Sequence, residues 1–596
     1  MRTAAATDPW APLLGRLFEA LPPRLAALGA PVEPGWLSSQ LDAPAQPPAD
    51  LAVALQRPAR AAGRPAPDLA RSLAQDLAGL EGFSSVQASG AYLNFQVDAP
   101  GLGARTLAMV FARAGEYGHG MPQDAPVCVE HTSANTTGPL HVGRVRNAVI
   151  GDTFVRVLRA AGHPVTSEYY VDDVGRQAAI LSWIWSKPLD RWPAEIVQAL
   201  PPGWERPAPG EKEDHHYGRA YPPASAYLKT HPEAAEEVQA ISRDLEAGCV
   251  PPAHRELAER ILRGMLISLE RLGIPFDRFV WESSLILDGS VEHARARLER
   301  APHAVHEANG ALAIDASGYG LPKEDARVII TRADGTSLYV TRDVAYHLQK
   351  FARYPRVVDV LGADHLLHAR TLEALLTEIA EPRRPEFLLY AYINAPGGQK
   401  MSTRGGSAVH LDDLVDEAVR RARTEVLARR SDLTASEVDQ IAERLGTAAI
   451  RYSIVRVAPE KTVQFSWEDA LSFEGRSAPF LQYSYARATT LLRKAERERG
   501  PHAFEIADLG TPFETALLRT ISRLPGVIRY AARTAHVHTL ATYAHDLAES
   551  FNRFYNEVPV LKAERERESR IALVAGARQA LGNALELLGL ARLETM

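Results

Sequence analysis

The densest chemistry in the chain lies in Glu130–His131–Thr132–Ser133–Ala134–Asn135–Thr136–Thr137–Gly138–Pro139–Leu140–His141–Val142–Gly143–Arg144. The apolar Pro126–Val127–Cys128–Val129 precedes it and reads as a buried strand, and helical periodicity follows from about 141 to 161. A strand that ends in a polar loop and opens a helix with His-x-Gly-Arg sets an imidazole and unpaired backbone N–H groups where a phosphate chain docks. Gly143 lets a nucleotide approach the backbone closely. A second loop, Gly397–Gly398–Gln399–Lys400–Met401–Ser402–Thr403–Arg404–Gly405–Gly406, follows the strand-like Phe387–Ile393. Two glycine pairs bracket Lys400 and Arg404, so the loop can close over a ligand and turn its cations toward phosphate charge. Only 9 of the 67 basic residues are lysine, which sets Lys400 apart from surface filler.

These loops need a frame. Further strands are expected at Val165–Val171, Val357–Leu361 and Phe387–Ile393, each with helical sequence nearby, and this alternation predicts a parallel sheet of the nucleotide-binding α/β kind. Positions 1–120 carry Pro/Ala-rich stretches, Pro44–Pro48 and Pro58–Pro67, and an alternating segment, Tyr92–Val97, expected to form a half-buried strand of a small α+β unit. Trp10, Leu13, Leu14, Phe18 and Leu21 have the spacing of an ordinary amphipathic helix rather than a transit peptide. A Pro- and Trp-rich insertion spans roughly 186–232 and a helical run spans 233–272. The pair His215–His216 reads as part of a solvated loop. Val328–Ile330 and Leu338–Val340 flank Asp334–Gly335 as a hairpin would. Positions 480–596 are helical almost throughout and read as a bundle, with 16 Lys+Arg against 13 Asp+Glu.

Composition bounds the rest. With 596 residues, 46 % hydrophobic, the chain should form two or three globular units. A net charge of −6 excludes coating nucleic acid through global basicity, so any such contact must be local. Cys128 and Cys249, the only cysteines, leave no disulfide framework and no thiolate zinc site, as expected of a reduced, cytoplasmic protein. No apolar run is long enough to suggest a membrane span.

Taken together, the two loops resemble the paired signatures of class I aminoacyl-tRNA synthetases, and the residues around them resemble arginyl-tRNA synthetases. The resemblance includes Glu-His-Thr-Ser-x-Asn before His141, Tyr170–Val171–Asp172–Asp173–Val174–Gly175–Arg176–Gln177, Leu338–Tyr339–Val340–Thr341–Arg342–Asp343 and Leu361–Gly362–Ala363–Asp364–His365. It continues through Lys400–Arg404, Pro479–Phe480–Leu481–Gln482–Tyr483–Ser484–Tyr485–Ala486–Arg487 and Phe551–Asn552–Arg553–Phe554–Tyr555–Asn556, and is weakest over 1–120.

The resemblance implies a multidomain α/β protein. A small N-terminal α+β domain that contacts tRNA (1–120) precedes a Rossmann-type parallel-sheet catalytic core (121–479, with an insertion at about 186–290 and the loop 397–406). An all-α helical bundle that binds the anticodon (480–596) closes the chain. The implied reaction activates L-arginine with ATP, carried as its Mg2+ complex, and transfers the arginyl group to the 3′ end of tRNA(Arg). Neither bound zinc nor a membrane partner is implied, bound tRNA is implied as a requirement for activation, and a monomer is the family expectation. His141, Gly143, Arg144, Lys400, Ser402 and Arg404 match catalytic positions. Glu130, Ser133, Asn135, Tyr339 and Asp343 match arginine-binding positions; Asp364, His365 and Met401 join His141, Gly143 and Lys400 around ATP. Carboxylates such as Asp343 and Glu130 suit the planar fork of a guanidinium, which lysine cannot imitate, so no editing domain is required. Tyr483, Tyr485, Phe551 and Tyr555 are candidate tRNA-stacking residues, with packing in the bundle core as the alternative for each.

Two departures bear on mechanism. The first signature ends in Arg144 where the family has His. The fourth position of the second is Thr403 in place of Lys, and Gly138 occupies the upstream position that often supplies a substitute Lys. Lys400, Arg404 or Arg144 must then meet the transition-state charge. Another nucleotidyl-transferring member of the superfamily, or an inactive paralogue that binds tRNA, are the alternative readings.

Overall fold

The computed structural model describes residues 7–33, 35–37, 49–394, 409–499 and 509–596. The N-terminal unit is an antiparallel sheet of β1 (Leu51–Ala54), β2 (Phe83–Ser89) and β3 (Tyr92–Val97), in the order β1-β3-β2. Tyr92 of β3 is exposed while Leu93, Phe95 and Val97 are buried, as the alternation requires. Helix Ala11–Ala27 turns Leu13, Leu17, Leu21 and Leu25 inward, so the amphipathic expectation for this segment holds.

The larger, parallel sheet begins with β4 (Val127–Glu130), β5 (Val165–Val171) and β6 (Arg278–Trp281). A small antiparallel sheet of β7 (Ala304–His306), β8 (Leu312–Asp315) and β9 (Arg327–Thr331) follows, and then β10 (Arg356–Gly362) and β11 (Glu386–Tyr390) complete the core. The core order is β11-β10-β4-β5-β6, with every pair parallel. The chain winds outward in one direction through β5 and β6 and in the other through β10 and β11. The carboxyl ends of β4 and β10 therefore open a crevice at the point where the winding reverses.

Residues on β4 alternate between two covered faces. Val127 and Val129 share a hydrophobic cluster with helix Val142–Ala160, while Cys128 packs in another with helix Tyr339–Arg353. Glu130 falls on the Cys128 side.

Four expectations change. β9 is not half of a regular hairpin: only Thr331 and Ser337 bridge, and Tyr339 begins a helix. The 3.6-residue stripe Tyr339, Asp343, Tyr346, His347, Lys350 governs there, overriding the short strand-like Leu338–Val340. The strand expected at Phe387–Ile393 is split: β11 stops at Tyr390, and β12 (Ile393–Asn394) pairs separately with β13 (Val463–Gln464). The break follows the buried Arg146, whose guanidinium donates to the Ala391 oxygen at 2.6 Å and the Tyr392 oxygen at 3.2 Å. The span 186–290 is not wholly inserted, because core strand β6 lies inside it. His215–His216 belong to helix Glu213–Gly218, with His216 buried, rather than to a solvated loop.

Helices Ala478–Arg499, Pro512–Ser522, Leu524–Thr534, His538–Glu557 and Arg567–Leu587 form the C-terminal bundle. One hydrophobic cluster runs from the core helix Val142–Ala160 into this bundle. Buried Arg451 reinforces the junction by donating to Asp152 at 2.5 Å and to the Leu272 and Leu588 oxygens at 2.7 and 3.0 Å. Among the described residues, no helix is long and apolar enough to cross a membrane.

Candidate active site and nucleic-acid cleft

His141 caps helix Val142–Ala160: extended backbone geometry lets its Nδ1 accept the Gly143 N–H at 3.1 Å. Burial, with Arg144 and His410 adding to it, pushes the imidazole down to about 4. The ring is therefore neutral near pH 7, and with Nδ1 accepting, the proton resides on Nε2 as a donor. A β-bridge joins His141 to His410, reinforced by Val142 N–H to the Val409 oxygen at 3.0 Å and Leu411 N–H to the Leu140 oxygen at 2.7 Å. Arg146 holds residues 391–392. Both described flanks of the second signature are thereby fastened beside the first; Gly397–Gly406, with Lys400, Met401, Ser402 and Arg404, lie outside the described residues.

The turn before the helix holds Thr132 and Ser133 at φ +71° and +38°, a departure that costs about 1–3 kcal/mol per residue. Thr132 N–H donates to Asn147 Oδ1 at 2.7 Å, and Ser133 Oγ accepts the Tyr170 N–H at 3.0 Å while donating to Glu130 Oε1 at 2.9 Å. The strain is thus used to aim Ser133 at Glu130.

Across the crevice stands the stripe of helix Tyr339–Arg353. Lys350 Nζ, 1 % exposed, lies 2.5 Å from Glu130 Oε2 and 2.7 Å from Asp359 Oδ1. Glu130 and Asp359 are register partners on β4 and β10, so one ammonium serves two adjacent strands. Burial works against charge at Lys350, but Asp359 and Glu130 prevail and keep it protonated far above neutrality. Burial raises the Glu130 carboxyl, and Lys350 opposes that rise. Asp359 also meets His347 Nε2 at 2.7 Å.

Asp343 lies 2.7 Å from His368 Nε2. Burial works to raise the Asp343 carboxyl, but His368 outweighs it and holds the group below its usual range, while Asp343 raises the His368 imidazole. Tyr339 is 49 % exposed one turn away, with its hydroxyl against Gly175 and the Arg342 guanidinium 4.8 Å from its ring. Arg342 itself is buried and paired with Glu282. Asp364 and His365 occupy the turn that ends β10. Burial lowers the His365 imidazole, with Asp364, Arg144, His368 and Asp343 among the charges that act on it.

The structure therefore gathers His141, Gly143, Arg144, Glu130, Ser133, Asp343, Asp364 and His365 around the carboxyl ends of β4 and β10. Asn135 is half-buried and donates to Gln177 Oε1 at 2.9 Å. Lys350, Asp359, His347 and His368 were not singled out from the sequence. The available signal was a lysine on the inward stripe of a helix in a chain poor in lysine.

The bundle presents a second feature. A cleft of about 620 Å³ is lined by Arg430, Tyr483, Arg487, Lys494, Tyr555 and Lys562, among others. Arg487 stacks between two exposed rings, 4.7 Å from that of Tyr483 and 5.0 Å from that of Tyr555. Tyr485 and Phe551 are core instead, at 5 % and 1 % exposed, which removes them from the stacking candidates.

The family model described as tRNA synthetases class I (R), catalytic domain, matches residues 106–194 and 234–467, and that of the DALR anticodon binding domain matches 481–596. The chain is 41 % identical to the arginine–tRNA ligase of Methanocella arvoryzae over 534 residues, covering 89 % of this chain and 90 % of that protein. It is 41 % identical to the enzyme of the same name from Methanothermobacter thermautotrophicus over 514 residues, 86 % and 87 % of the two chains. The solved Thermus thermophilus arginyl-tRNA synthetase superposes with a TM-score of 0.80 at 28 % identity, covering 97 % of this chain and 99 % of that one.

Proposed function

Because this chain belongs to the arginyl-tRNA synthetases of class I, we propose a residue-level account of how it joins arginine to tRNA. The protein is an arginine–tRNA ligase, which activates arginine with ATP and charges tRNA. In our account ATP enters with Mg2+, its triphosphate against the Nε2–H of His141, the Gly143 backbone and Arg144, with adenosine toward Asp364 and His365. Lys400, Met401, Ser402 and Arg404 join this set on the strength of the sequence. Arginine lies across the crevice, its guanidinium toward Asp343 and Tyr339 and its remaining polar groups toward Glu130, Ser133 and Asn135. The arginine carboxylate attacks the α-phosphorus and pyrophosphate leaves; the terminal ribose hydroxyl of tRNA then attacks the carbonyl carbon of the adenylate, losing its proton as the C–O bond to phosphate breaks and AMP leaves. No side chain need exchange a proton in the first step, so rate comes from positioning and charge stabilisation.

The observation that carries this account is the pairing of opposite characters across one crevice. A neutral, donating His141 and a cationic Arg144 face a wall whose carboxylates, Glu130, Asp359 and Asp343, are anchored by Lys350 and His368. The bundle cleft, with Tyr483 and Tyr555 as stacking rings and Arg487 between them, is our candidate tRNA surface. We further take the enzyme to act as a cytoplasmic monomer, as its place in translation and its family suggest, with residues 1–120 contacting tRNA.

Aminoacylation with labelled arginine, ATP and total tRNA tests the reading. Label should become acid-precipitable, whereas tRNA binding without charging would support the inactive paralogue. A charge-assisted contact is worth about 1.5–3 kcal/mol, so Asp343→Ala should raise KM for arginine roughly 10–100-fold with KM for ATP nearly unchanged. Equal rises in both would count against the assignment.

A further inference from the structure

The helix Glu213–Gly218 touches both flanks of the candidate ATP site. At one end Gly218 packs on the backbone of the first signature: a Cβ there would overlap the Gly138 Cα and stand 3.1 Å from the Thr137 oxygen. At the other end, His215 and the preceding Lys212 reach Asp412, the second residue of helix Leu411–Arg429. Asp412 Oδ2 lies 2.8 Å from Lys212 Nζ and 2.8 Å from His215 Nε2, and Oδ1 accepts the Ser268 hydroxyl at 2.9 Å. Lys212 also donates to Asp214 at 3.2 Å, the Gly264 oxygen at 3.0 Å and Ser268 Oγ at 2.5 Å. Asp214, His215 and Asp412 are close enough together to hold a cation. The Lys212 ammonium already bridges the two carboxylates, so the cluster is complete without a metal.

Its location gives it a role. Asp412 stands two residues after His410, whose bridge to His141 continues through the Val142–Val409 and Leu411–Leu140 hydrogen bonds. We propose that Asp412, gripped by Lys212, His215 and Ser268, is a positioning residue that sets the His141 imidazole in place for ATP. A shielded ion cluster adds little net stability, because desolvation offsets the attraction, but it fixes direction in a way that an apolar contact does not. Three donors from two other segments define where the start of helix Leu411–Arg429 sits. The β-bridge between His410 and His141 carries that position to the N-cap imidazole. This inference rests on the reading of His141 as an ATP ligand.

The test is steady-state aminoacylation by the full chain. Asp412→Asn should raise KM for ATP about tenfold while KM for arginine stays within about twofold. If Asp412 acts through His141, the same substitution in a His141→Ala background should change KM for ATP by less than about twofold. No rise in KM for ATP, equal rises for both substrates, or a full tenfold effect on top of His141→Ala would each overturn the proposal. Should Asp412→Asn not fold, Ser268→Ala, which removes a single bond to Asp412, should raise KM for ATP about threefold, and an unchanged value would overturn it. Wild-type protein that fails to charge tRNA would instead sink the functional reading, so the two failures are distinguishable.

Discussion

Asp343 answers to two cations, the His368 imidazole in the structure and a substrate guanidinium in our account. His368 has a raised pKa, so its contribution is complete below an ordinary imidazole value of about 6.5 and fades as pH climbs through the raised one. Asp343 has a lowered pKa, so its contribution is complete above about 3.9 and fades as pH falls. The pair is therefore strongest on the acidic side of neutrality, where His368 competes with arginine. KM for arginine should fall as pH rises from about 6.5 through the raised His368 value, and His368→Gln should flatten that profile; a flat wild-type profile would remove His368 from the account. Lys350 makes a different demand. Lys350→Met leaves Glu130 and Asp359 buried without their common ammonium, and breaking such a pair costs about 3–5 kcal/mol, readable from a urea midpoint.

Elements place these residues through backbone contacts that tolerate no added atoms. Gly218→Ala would drive a methyl into the Gly138 backbone, and overpacking of this kind typically costs about 1–3 kcal/mol. Since the displaced segment leads directly to His141, KM for ATP should rise in the same variant while KM for arginine moves less. An unchanged KM for ATP would show that the loop adapts. At this scale the sequence was legible wherever one pattern ruled. β4, β5, β10 and the helix after β4 were read from apolar runs and helical spacing alone. Reading failed where a long stripe competed with a short one, at Leu338–Val340, and where a buried guanidinium from elsewhere ended a strand, at Tyr390.

For the whole molecule, the continuous core between catalytic sheet and bundle holds the bundle cleft, our candidate tRNA surface, in fixed relation to the crevice. Stacking of a base on an aromatic ring is worth about 1–3 kcal/mol, so Tyr555→Ala should weaken tRNA binding roughly 5–150-fold by filter binding and leave KM for arginine and ATP alone. The same truncation at Phe551, one turn earlier but 1 % exposed, should instead cost about 3–5 kcal/mol of stability. Periodicity alone cannot separate these two rings, because residues four apart share one face of the helix and only the packing around each decides which is buried.

What the sequence determined by itself was the chemistry on offer: an imidazole and glycine at a strand-to-helix turn and a lysine-bearing glycine loop, whereas the match of Glu130 and Asp343 to a guanidinium came from family resemblance. Local pattern encodes these because each depends on neighbours within a few residues. Tertiary structure alone decided the counter-ions. Lys350 meets Glu130 across 220 positions and His215 meets Asp412 across 197. Such pairings are set by which strands adjoin and how helices cross them, information that no window along the chain contains.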